Sequence, residues 1–159
     1  MGKNKNGKRI NPLANRNVME RESMKMLKNI AFGSFNIYEE GDIFRNTEFV
    51  KAALDGINKK LLNLSIVINS IKIASSPQVR GICLDQNVNR LLHNYERGYT
   101  AYSLMHECMV NILNSNGDTG YLLVLANKLP DYKYNIWLRG IDTELCIYST
   151  LQIVDILFL

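Results

Sequence analysis

Cysteine, proline, histidine and tryptophan are all scarce in this chain of 159 residues, at three, three, two and one. The cysteines, Cys83, Cys108 and Cys146, are odd in number and form no C-x-x-C pair. They exclude a disulfide framework and are expected as packed or idle thiols in a reducing compartment. His93 and His106 lie thirteen residues apart, on different faces of any helix that holds both. No metal site is expected from them, since His106-Glu107 would need a second histidine where Val110 stands. No apolar run follows the basic start, so no secretory signal is read, and Asn6 occupies the position where a myristoylation signal needs Ser or Thr. The most apolar stretch, Leu145–Leu159, is broken by Gln152 and Asp155. It is shorter than the ~20 apolar residues of a spanning helix, so no membrane role is expected.

Apolar residues nevertheless make up 47% of the chain. A chain of this length can bury about 70% of its unfolded surface, enough for one domain with its own core. Wholesale disorder is thereby excluded. The formal charge of +4 is unevenly placed. Residues 1–17 carry Lys3, Lys5, Lys8, Arg9 and Arg16 with no acid, and five asparagines, which reads as a flexible basic arm. The remaining residues hold 14 basic and 15 acidic groups, so no broad nucleic-acid-binding face is expected on the body.

Residues 18–45 read as a short helix over 18–30, capped by Asn17 and closed by Gly33, followed by an extended connector through Phe32, Phe35, Ile37 and Tyr38. Beyond Asn46, apolar residues recur at Val50, Leu54, Ile57, Leu61, Leu64, Ile68 and Ile71. These steps of four and three predict a long helix over 47–75, with Leu62 and Ile66 adding apolar surface beside the seam. Ser75-Ser76-Pro77 ends it and starts another. Leu84, Val88, Leu91, Tyr95, Gly98, Tyr102, Met105, Met109 and Ile112 then repeat the alternation up to Asn114–Asp118, where Gly117 suits a left-handed turn. A buried glycine inside that helix implies a kink or a close approach.

The expected fold is therefore mainly α: a long antiparallel hairpin over 47–115, a short N-terminal helix, and a smaller C-terminal part over 118–159. Residues 46–159 form one domain in this reading. Thr119–Leu129 fits either a short buried helix capped by Asp118 or a strand, and Tyr132–Leu138 alternates like a strand. Residues 142–159 suit a helix or a strand.

No motif of known chemistry survives inspection, and no enzyme or cofactor is expected. Asn116-Gly117-Asp118-Thr119-Gly120 lacks the Lys-Ser/Thr of a phosphate loop, and the sequon Asn63-Leu64-Ser65 falls inside the heptad helix. Tyr95, Tyr99 and Tyr102 near Arg90 and Arg97 suggest a stacking surface for nucleic acid, but Tyr95 and Tyr102 share a seam with Leu91 and Met105. Core or subunit packing suits them better. Candidate interface residues are Leu91, Tyr95, Tyr102, Met105 and Met109, with Ile153, Ile156, Phe158 and Leu159 at the apolar end. For the arm, Lys3, Lys5, Lys8, Arg9 and Arg16 are candidate contacts to phosphates or to a neighbouring subunit.

The Asn-Lys-Ile bias, the arm Gly2–Arg9, the helices Val50–Ile71 and Leu84–Ile112 and the apolar end at Leu159 together resemble small virion proteins of low-GC tailed bacteriophages. The likeness is to connector, tail-ring or cargo types, the crAss-like group among them. It is one of style over the whole chain, with no motif and no residue role to carry across. The resemblance implies a subunit of a protein assembly, in a virion or in host cytoplasm.

Overall fold

The computed structural model describes residues 12–74 and 86–129. Among these there are five α-helices and no strand: α1 Pro12–Ala31, α2 Ile37–Glu40, α3 Thr47–Ala74, α4 Gln86–Asn114 and α5 Gly120–Lys128. A 3-10 turn, Gly41–Arg45, joins α2 to α3. The predicted turn at 75–77, the arm before Pro12 and everything after Leu129 lie outside the described residues.

α3 and α4 form the hairpin, and its antiparallel sense follows from which residues meet. Lys72 at the end of α3 pairs with Glu96 near the start of α4, at 4.0 Å. Lys60, mid-way along α3, sits over the Tyr102 ring at 5.9 Å. The seam is closed by Val50, Ile57, Leu64, Ile68 and Ile71 from α3 and by Tyr95, Tyr102, Met105, Met109 and Ile112 from α4, all buried. Gly98 is buried inside an unbroken α4, so it marks no break in the helix.

Helix ends are set by short polar side chains. Asn46 caps α3, its Oδ1 accepting the N–H groups of Glu48 (3.0 Å) and Phe49 (3.3 Å). α1 ends in a Schellman motif, with Gly33 at φ 74 and the Ser34 N–H donating to the Asn29 carbonyl. α4 ends the same way: Gly117 is left-handed as expected, at φ 94, and Asn116 before it is left-handed too, at φ 56. The Gly117 N–H donates to the Ile112 carbonyl at 2.9 Å.

Three expectations are corrected or resolved. α1 begins at Pro12 rather than 18, so residues 12–17 belong to a helix and not to a free arm. Proline suits a first helical turn, and Arg16 holds that turn to α3 through Glu48 (3.3 Å) and Asp55 (2.8 Å). The connector is not extended throughout: Asn36 caps the single turn α2, and the 3-10 turn follows. There Phe44 is fully buried, edge-on to Phe35 and Phe49 with centroids at 6.1 and 5.3 Å. Between the two alternatives for Thr119–Leu129 the structure has a helix, and the Asp118 Oδ1 accepts the Gly120 N–H at 2.9 Å.

α1 packs on α3 through a notch at Gly56. A Cβ there would lie 2.7 Å from Met24 Cγ and 3.1 Å from Glu20 Cγ. Lys59 bonds both Glu20 carboxylate oxygens at 3.0 Å beside this contact. α5 packs on α4, with Leu122 and Leu125 buried and Lys128 paired to Glu107 at 3.8 Å.

Candidate functional site

The residue type most able to do chemistry here is cysteine, and Cys108 is built to be inert. Its thiol donates to the Tyr121 carbonyl at 3.4 Å under α5. Burial pushes its pKa up to about 12, reinforced by the neighbouring Glu107 carboxylate and opposed by Lys128. A thiol so held is protonated at neutral pH and is not a nucleophile. The cavity beside it, lined by Leu104, Asn111 and Tyr121 among others, measures 20 Å³, room for one water and no substrate. Among the described residues, no group of three or more His, Cys, Asp or Glu side chains is placed to hold a metal ion.

The interface residues expected on α4 are spent inside the chain. Tyr95, Tyr102, Met105 and Met109 are buried against α3, and Leu91 is half-buried at the edge of the same core. Ile153, Ile156, Phe158 and Leu159 lie outside the described residues, as do Lys3, Lys5, Lys8 and Arg9. Arg16 is described, and its guanidinium is engaged by Glu48 and Asp55.

Of the large apolar residues exposed among the described residues, three lie on one face of α3. Leu62, Ile66 and Ile73 are 61%, 55% and 58% exposed. Their spacing places them along one line of the helix, about 180° from the Ile57–Leu64–Ile71 seam at 100° per residue. Towards the start of α3 the same line carries Lys51, Asp55 and Asn58, all exposed, so the face is polar first and apolar after Leu62. A groove of 310 Å³ between α3 and α4 runs near the apolar half, lined by Ser65, Asn69, Lys72, Glu96 and the half-exposed Tyr99. Leu62 and Ile66 stand out in the sequence as surplus apolar residues; Ile73 hides there because it neighbours a true seam residue, Ile71.

Compared with known proteins, the chain matches no family model, no curated protein and no solved structure. No helix among the described residues is long and apolar enough to cross a membrane.

Proposed function

We propose that this protein is a non-enzymatic structural or assembly subunit of a larger protein complex, of the bacteriophage virion type. One observation carries the reading: the hairpin satisfies its own seam, yet α3 still presents Leu62, Ile66 and Ile73 to solvent. Isolated exposed apolar residues are ordinary, but three on one line of one helix suit a protein contact. The virion assignment rests on the resemblance of composition alone. Sedimentation velocity on the full chain at micromolar concentration tests the reading. Oligomers are expected, and a stable monomer without partners would overturn self-assembly.

A second reading has its own observation. Lys3, Lys5, Lys8 and Arg9 form an acid-free run ahead of α1, suited to phosphate contacts on nucleic acid. Four such contacts give a log–log salt slope of about −3.6 on duplex DNA. DNA or RNA binding that survives deletion of residues 1–9 unchanged removes this reading.

A further inference from the structure

We propose that Asn116–Gly117, in the turn joining α4 to α5, is a self-modification site guarded by the C-terminal cap of α4. The asparagine converts to aspartate or isoaspartate whenever the turn opens, and the closed cap holds the reaction off. This goes beyond the assembly reading and does not depend on it. Asparagine followed by glycine occurs twice in the chain, here and at Asn6–Gly7, which lies outside the described residues. Glycine has no Cβ to obstruct a reaction at its own nitrogen. Asn116 is exposed, and a cleft of 250 Å³ lined by Arg45, Thr47 and Leu113 among others reaches the same turn. Water therefore has access to the side chain.

Water is the one co-reactant the chemistry needs. The Gly117 backbone nitrogen gives up its proton to a solvent base and attacks the Asn116 side-chain carbonyl carbon, Cγ. The new N–Cγ bond closes a cyclic imide, the Cγ–Nδ2 bond breaks, and Nδ2 takes a proton from solvent and leaves as ammonia. Water then opens the imide at either carbonyl, giving aspartate or isoaspartate.

The folded turn opposes the first step. The Gly117 N–H donates to the Ile112 carbonyl at 2.9 Å, which keeps the proton on the nitrogen that must lose it. On either side, the Asn116 N–H donates to the Leu113 carbonyl at 3.3 Å and the Asp118 N–H to the Ser115 hydroxyl at 3.2 Å. The turn also rests on the backbone ahead of α3, since a Cβ at Gly117 would lie 3.5 Å from Arg45 Cα. Conversion in the folded chain thus proceeds at the free-chain rate multiplied by the open fraction. The product closes less well. A new carboxylate falls at the C-terminal end of α4 beside Asp118, where negative charge is unfavourable. Isoaspartate also lengthens the main chain within the cap. A passing opening is in this way made permanent.

The test incubates the full-length chain at mildly alkaline pH, folded and in urea, and follows Asn116 by peptide mapping, which separates it from Asn6. Conversion is expected to be about tenfold or more slower in the folded chain. Equal rates would remove the guard, and no conversion in urea would remove the site. Ser115→Ala takes away the acceptor of the Asp118 N–H. It should speed conversion about twofold to tenfold in the folded chain and leave the rate in urea unchanged; no acceleration counts against the cap. Hydrogen exchange at the Gly117 amide of wild type checks the same opening should that variant lose helicity. The slowing of exchange and of conversion should agree within about threefold, and a disagreement beyond about tenfold would overturn the cap as the guard.

Discussion

At the scale of single residues, position decides chemistry more than residue type does. Cys108 is a nucleophile by composition and a packing residue by placement. In the folded protein its alkylation by iodoacetamide should be as slow as unfolding, read by peptide mapping against the same chain in denaturant. Its pH dependence has a definite sign. The thiol titrates near 9.0 when unfolded and near 12 when folded. Between those values the unfolded chain has shed a proton that the native chain keeps, so this contribution to stability is complete below pH 9 and lost as pH rises towards 12. Urea midpoints measured on either side of pH 9 should fall less in Cys108→Ala than in wild type. At the end of α4 the glycine legible in the sequence, Gly117, is left-handed, and Asn116 beside it shares that conformation because asparagine tolerates it better than most residues.

At the scale of elements, the hairpin was legible because its signal is periodic and repeated. Seven apolar residues at alternating steps of four and three over Val50–Ile71 leave little freedom about which side of α3 is buried. The start of α1 was not legible, since residues 12–17 have few apolar side chains and are tied down by Glu48 and Asp55, distant in sequence. The turns over 37–45 were missed for another reason. Phe32, Phe35, Ile37 and Tyr38 read as an extended connector, but Asn36 diverts the backbone into a helical turn by accepting the Tyr38 and Glu39 N–H groups. Where α1 meets α3, Gly56 permits contact that a larger side chain forbids. Gly56→Ala should be close to neutral, because about 1 kcal/mol of helix propensity offsets a shift of the flexible Met24. Gly56→Leu should lower stability by about 1–3 kcal/mol in urea denaturation, by wedging α1 away.

At the scale of the whole molecule, α3 acts as an axis with two dissimilar ends. Its first turns are occupied with fixing α1 through Glu48 and Asp55, and its later turns carry the apolar line. Roughly fifteen residues separate the middles of these regions, a distance of about 22 Å at helical rise. The basic run ahead of Pro12 is therefore rooted near one end of α3, and the Leu62–Ile73 line lies near the other. Deleting residues 1–9 should leave self-association unchanged in sedimentation velocity, while Leu62→Asp/Ile66→Asp should leave any nucleic-acid affinity unchanged in fluorescence anisotropy. The ion pairs that fix Arg16 thus have an effect beyond holding a helix end. They hold the point from which the basic run departs about four helical turns from the apolar line, so that substitutions at one place leave the other chemically untouched.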